Sequence, residues 1–244
     1  MVRLSVNVNK IATLRNSRGG RLPDPVDAAR VCVEAGSPGV TVHPRADERH
    51  IRRMDVTAIA SYLQPLRGRI ELNIEGDPRP DLIETVRAVV PDQCTLVPVK
   101  PGEITSQAGW PANTPKAALA AAVSDLKRRG IRVSLFVDPE PAPIRWAADV
   151  GADRVELYTE PYARAFASGL KPGQESFARY VEAAALAHEL GLGINAGHDL
   201  DLDNLVLFRT LPHLDEVSIG HAIISRAVYV GLSTVVREYL SVLA

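Results

Sequence analysis

The chain has 244 residues, 46% of them hydrophobic and 23% charged, which are ordinary globular values and supply enough apolar material for one sizeable core. The formal net charge is −1, so no broad basic field exists to hold nucleic acid or an anionic membrane, and any anionic ligand must be held locally. Cys32 and Cys94 are the only cysteines and sit in apolar runs, which argues for core thiols and against a disulfide framework or a Cys-x-x-Cys metal site.

The N-terminus MVRLSVNVNK lacks an apolar signal region, and no run of about 18 apolar residues follows, so a soluble cytoplasmic protein is expected. In chain order, short β-branched runs occur at LSVNVN (4–9), GVTVH (39–43), RIELNIE (69–75), QCTLVPV (93–99), RVSLFVD (132–138), RVELYTE (154–160), LGINAG (192–197) and EVSIGH (216–221). Their spacing averages about 30 residues, the size of one βα unit. The segments between them, such as DPVDAARVCVEAG and PKAALAAAVSDLKRRG, open near Pro or a polar cap and close on Gly, as helices do. Strict alternation implies a parallel sheet, and eight units predict an α/β fold: one (β/α)8 TIM barrel domain over residues 1–244.

Side-chain parity supports closure. Leu4, Val6 and Val8 alternate with Ser5, Asn7 and Asn9; Val40 and Val42 with Thr41 and His43; Leu72 and Ile74 with Glu71, Asn73 and Glu75. Val155 and Leu157 likewise alternate with Glu156 and Tyr158. A doubly wound sheet covers both faces with helices and needs both apolar; one consistently polar face predicts a hydrogen-bonded barrel interior.

Barrel enzymes place their chemistry at the carboxyl ends of the strands. Those ends carry Asn7, Asn9 and Lys10, His43 and Arg45, Glu75, Lys100, Asp138, Glu156 and Glu160, Asn195 and His198, and Gly220 with His221. A single strand-end histidine is most simply a hydrogen-bonded surface residue, and RADER can be a solvated loop. Four of the six histidines (His43, His50, His198, His221) following strands two, seven and eight form a convergence that a surface reading does not explain. Glu75, inward-facing and poorly solvated, is expected to have a raised pKa suited to proton transfer; the competing reading is an ion pair with Arg45 or Lys10. Glu156 lies deeper, with structural pairing and transition-state support both open. Glycines after strands seven and eight, with a helix starting directly after the second, match a phosphate site built from backbone N–H groups, or else serve only as tight turns.

The segments VNKIATLRNSRGG, TVHPRADERHI, LNIEG, LVPVKPGEITSQAGW, NAGHDL and IGHAII, in this order along nearly the whole chain, resemble the pyridoxine 5′-phosphate synthase family. The resemblance implies a barrel that condenses 1-deoxy-D-xylulose 5-phosphate with 3-amino-2-oxopropyl phosphate, with no cofactor and no metal, as a homo-octamer. It implies His43 and Glu75 as proton acceptors, His198 as proton donor and Glu156 as transition-state stabiliser. It further implies Asn7, Arg18, Gly220 and His221 around the aminoketone phosphate, and Arg45, His50 and Thr105 around the sugar phosphate. The chain departs from the familiar form at Asn9-Lys10, where an Asp-His pair is usual, and at Asp199, where a glycine is usual. Asn9 and Lys10 are then expected to contact the pentulose, and Asp199 to serve substrate through its backbone N–H. The loop 100–110, with Gly102 and Gly109 as hinges, is the expected lid over intermediates that water would hydrolyse.

Two other readings remain: a Schiff-base aldolase using Lys10 or Lys100, and a barrel that binds phosphate without catalysis. A metal hydrolase would want His-x-His at strand one, where the chain reads VNVNK.

Overall fold

The computed structural model describes residues 1–99 and 107–244. Eight parallel strands close into a barrel in sequence order: β1 (Arg3–Asn7), β2 (Gly39–Val42), β3 (Glu71–Gly76), β4 (Gln93–Leu96), β5 (Arg132–Val137), β6 (Arg154–Leu157), β7 (Gly193–Ala196) and β8 (Leu214–Ile219). Closure is direct, since Val6 of β1 aligns with Val40 of β2 on one side and Ile219 of β8 on the other.

The surrounding helices are α1 (Asn9–Arg18), α2 (Pro25–Glu34), α3 (Arg53–Leu63), α4 (Pro80–Val89), α5 (Ala117–Arg128), α6 (Pro141–Val150), α7 (Glu160–Ala167), α8 (Leu170–Glu189), α9 (Leu202–Phe208), α10 (His221–Val230) and α11 (Leu232–Leu243). Pro25, Pro80 and Pro141 open three of them, where a missing N–H costs nothing and the fixed φ is already helical. Asp24 caps α2 by accepting the Val26 N–H, and Asp201 caps α9 in a reciprocal box with Asn204.

The alternation of the strands sorts two environments. Leu4, Val6, Val40, Val42, Leu72 and Ile74 pack outward into the layer between sheet and helices and are buried. The inward side chains hydrogen-bond across the barrel. Ser5 Oγ and Thr41 Oγ1 are 2.7 Å apart, and Thr95 Oγ1 donates to Asn73 Oδ1 at 3.1 Å. At the amino-terminal end Arg3 and Arg132 both bind Glu71, and Gln93 links Arg132 to the buried Glu216. Much of the polar interior thus satisfies its own donors and acceptors, the usual condition for burying such groups, while Ser134 Oγ, Glu156 Oε2 and Asn195 Nδ2 are buried without a hydrogen-bond partner among the described residues.

The predicted runs overshoot the strand ends at several places, with β4 stopping at Leu96 and β6 at Leu157, and two further corrections bear on the site. The run 4–9 stops being strand at Asn7, because Val8 leaves the extended region (φ −92, ψ 10) and Asn9 opens α1. His221 likewise belongs to α10, β8 having ended at Ile219. Both shifts place a polar residue at the start of a helix above the barrel mouth.

Candidate active site

The carboxyl ends of the strands surround a cavity of about 490 Å³. Its floor is carboxylic. Glu75, from the penultimate position of β3, is buried and receives three long hydrogen bonds of 3.4 Å, from Asn7 Nδ2, Asn73 Nδ2 and Ser218 Oγ. Burial pushes its pKa up to about 7 against the opposing effect of the Ser218 bond, and the field of Glu216 adds to the rise while that of Arg45 opposes it. Weak, neutral donors cannot replace the hydration the carboxylate lost. Glu156 is shifted further: burial first, then the fields of Glu75 and Glu216, hold its pKa well above the carboxylate range. Its Oε2 is buried without a hydrogen-bond partner among the described residues. The floor therefore offers two buried carboxyls, one titrating near neutrality and one held well above the usual carboxylate range, a separation that can support distinct base and acid roles.

His43 follows β2 directly, and its backbone N–H donates to Asn9 Oδ1 at 2.9 Å, so the first residue of α1 fixes the exit of the next strand. Its Nδ1 lies 3.7 Å from Glu75 Oε2. Burial, followed by the fields of Arg45, His50, Arg79 and Arg49, drives its pKa well below the usual value, so the ring is neutral. His50 is also neutral, its pKa lowered to about 4, chiefly by burial and then by Arg45 and Lys10. The Ile51 N–H donates to His50 Nδ1 at 2.9 Å, which leaves the ring proton on Nε2.

The loop carrying these groups is braced from below. Arg15 of α1 makes a bidentate pair with Asp55 of α3 at 2.6 and 2.8 Å and donates to the His50 carbonyl at 3.2 Å, which Asn16 Nδ2 also reaches at 2.9 Å. Arg79 donates to the Pro44 carbonyl at 2.7 Å. Neither brace stands out in the sequence, because each joins residues about 35 or more positions apart.

The opposite wall is the turn NAGHDL. A Cβ on Gly197 would lie 1.9 Å from the Ser218 carbonyl oxygen, so only glycine permits this approach of the turn to β8. His198 follows, its Nδ1 2.8 Å from Asp199 Oδ2. Gly220 caps α10 against Asn7, where a Cβ would approach within 3.0 Å, and His221 is the first helical residue.

Of the residues singled out from the sequence, Asn7, Asn9, Lys10, His43, Arg45, His50, Glu75, Glu156, His198, Asp199, Gly220 and His221 line this one cavity. Arg18 does not; it is exposed in the last turn of α1. Thr105, Lys100 and Gly102 lie outside the described residues. Gly109 is packed too tightly for the expected hinge, since a Cβ would lie 2.3 Å from Val137 Cα, and the neighbouring Trp110 is tied by its N–H to the Phe136 carbonyl and by its indole to the Leu96 carbonyl. Lys10 is exposed on the rim, whereas a Schiff-base lysine is activated by desolvation. Arg49, Thr13, Val97 and Phe136 line the cavity without having been assigned a place there; the inward parity of Phe136 beside Ser134 was the available signal for that residue.

A family profile described as pyridoxal phosphate biosynthesis protein PdxJ matches residues 4–244. The chain belongs to the PdxJ family. A relative from Cytophaga hutchinsonii named pyridoxine 5′-phosphate synthase is 52% identical over 241 residues, 98% of each chain. One of the same name from Porphyromonas gingivalis is 50% identical over 245 residues, all of both chains. Among solved structures, the thiamine phosphate pyrophosphorylase of Pyrococcus furiosus superposes with a TM-score of 0.63 at 13% identity, covering 99% of this chain and 95% of that one. A mutant tryptophan synthase alpha-subunit from the same organism gives 0.64 at 10% identity over 98% of each chain. These two establish the barrel and nothing about the reaction. PdxJ membership places the chain among enzymes of vitamin B6 biosynthesis. No helix among the described residues is long and apolar enough to cross a membrane.

Proposed function

We propose that this chain condenses 1-deoxy-D-xylulose 5-phosphate with 3-amino-2-oxopropyl phosphate to pyridoxine 5′-phosphate; its relatives from Cytophaga hutchinsonii and Porphyromonas gingivalis carry the name pyridoxine 5′-phosphate synthase. The observation that carries this reading is the pairing of Glu75, with a pKa raised to about 7, and a neutral His43 at 3.7 Å, beneath a rim bearing Lys10, Arg45, Arg49 and His221.

Two phosphorylated substrates need two anion sites, and the rim supplies them in separate places. After β2, the Arg45 guanidinium and the Nε2–H of neutral His50 face one phosphate; the backbone N–H groups at the start of α10, with Gly220 and His221, face the other. Between them the reacting carbons lie over the carboxyl floor. Imine formation, loss of phosphate, ring closure, dehydration and aromatisation move protons and expel leaving groups without net oxidation, so acids, bases and anion-holding groups carry each step. Glu75 and neutral His43 accept protons from carbon and nitrogen. Glu156, retaining its proton, donates a hydrogen bond to developing negative charge, and His198 on the opposite wall returns protons to departing oxygens. Asn9 and Lys10 contact the pentulose, and no resident metal or cofactor takes part. The chain acts as one barrel domain in the cytoplasm, readings that rest on its length, strand–helix pattern and apolar runs, and as a homo-octamer, a reading that rests on the family resemblance.

The test is incubation of purified protein with both substrates, following pyridoxine phosphate absorbance and released phosphate. Product and phosphate appear together only when both substrates are present. Borohydride trapping of substrate on a lysine would contradict the reading in favour of an aldolase, and binding without phosphate release in favour of a non-catalytic barrel.

A further inference from the structure

Asp199 occupies a backbone position that suits glycine. Its φ is 62, in the left-handed region that L side chains rarely adopt, with Asn and Asp the least strained there after glycine. The surrounding turn gives it no freedom to relax. Leu200 N–H donates to the Gly197 carbonyl at 3.1 Å, Asn204 Nδ2 donates to the Asp199 carbonyl at 3.1 Å, and Thr159 Oγ1 donates to the His198 carbonyl. A strained residue that is fully determined by its neighbours invites a functional explanation.

The side chain supplies one. A carboxylate beside two phosphates would repel them, but this one points at the adjacent imidazole, 2.8 Å from Nδ1. The Tyr158 ring packs edge-to-face on that imidazole, with centroids 5.4 Å apart at 68°, a second contact that holds the ring. The His198 bond, opposed by burial and reinforced by the fields of His198, His221 and Lys10, keeps the Asp199 carboxyl below its ordinary range; it is ionised and can only accept.

We propose that Asp199 is a positioning residue for His198: its carboxylate takes the Nδ1 proton in a hydrogen bond, and this fixes the tautomer and orientation in which Nε2 exchanges protons with substrate. The inference rests on the proposed role of His198 and adds a partner to it. A carboxylate that anchors one imidazole nitrogen settles which nitrogen does the chemistry. It also answers why an acidic side chain stands in a rim that must bind anions.

The test uses histidine labelled with 15N and a two-bond proton–nitrogen correlation spectrum at alkaline pH, with the His198 signals assigned by their absence in H198Q. The parent is expected to show His198 protonated on Nδ1, and D199G to shift it toward the Nε2-protonated form. D199G keeps the turn, because glycine suits φ 62, so its melting temperature should not fall. Its kcat should fall about tenfold, as for loss of an orienting partner, with KM for both substrates within about threefold. An Nε2-protonated His198 in the parent, or a D199G variant with unchanged tautomer, would overturn the proposal. So would a rise in KM at constant kcat, which would make Asp199 a substrate contact. The tautomer is read without turnover, so a parent that lacks synthase activity but shows the shift overturns the reaction and leaves the positioning standing.

Discussion

His43 Nδ1 stands 3.7 Å from Glu75 Oε2, with both side chains about nine-tenths withdrawn from solvent. The distance is longer than a hydrogen bond, and neither partner is forced into its charged form by the other. A neutral imidazole beside a carboxyl that titrates near 7 is a pair able to take protons at physiological pH, and the energetic cost of keeping it unsolvated is visible in the pKa shifts of both groups.

That cost gives a stability prediction. The folded pKa of Glu75 is raised from 4.5 to about 7, so the folded state binds the proton more tightly than the unfolded chain. The associated stability is present below pH 4.5 and is lost as pH rises through about 7. Glu75→Gln removes the ionising group, so at pH 8 its unfolding free energy should exceed the parent's by up to about 3 kcal/mol, with a higher melting temperature. The gap should narrow at pH 5, and thermal melts at the two pH values check this.

Glu156 behaves differently because it keeps its proton. Gln reproduces a neutral donor, so Glu156→Gln should retain turnover within about tenfold of the parent, and Glu156→Leu, which cannot donate, should lose more. Steady-state kcat values for the two variants check the assignment.

Gly197→Ala should be among the most damaging single-methyl changes, since the new Cβ meets the Ser218 carbonyl oxygen at 1.9 Å and must displace the turn that carries His198. Overpacking of this kind costs about 3 kcal/mol. A denaturant melt measures it, and activity should fall with the displacement of His198.

The Arg15–Asp55 pair is buried on both sides and braces the loop of His50 from below. Asp55→Ala leaves a buried guanidinium without its partner, which should destabilise the protein by about 3 kcal/mol. It should also raise KM through the loosened His50 loop, while Glu75 and His43 stay in place and kcat changes less. Denaturant melts with a KM-against-kcat comparison check both effects.

Much of this was legible from the residues. The alternation of Val40 and Val42 with Thr41 and His43, repeated in other strands, specifies a barrel with a polar interior because a strand has only two faces. The convergence of His43, Glu75, His198 and His221 followed once each was placed at a strand end. What escaped is what depends on contacts distant in sequence or on single backbone torsions. The end of β1 at Asn7 is set by the torsions of Val8, and the bracing of His50 by Arg15 and Asp55 joins three segments. The φ of Asp199 turns a side chain that looked repulsive to phosphate onto His198. Arg18 shows the opposite limit: a residue can match a motif without lining the cavity formed by the described residues.

The measurement that bears most directly on the central claim is the turnover of Glu75→Gln, with substrate binding followed by calorimetry on the same preparation. Gln keeps the size and hydrogen-bonding reach of Glu75 without the base. Binding is expected to stay within a few-fold of the parent and turnover to fall by roughly 10²–10⁴-fold, the loss typical of a general base. Turnover within a few-fold of the parent would contradict this and move the proton acceptor to His43.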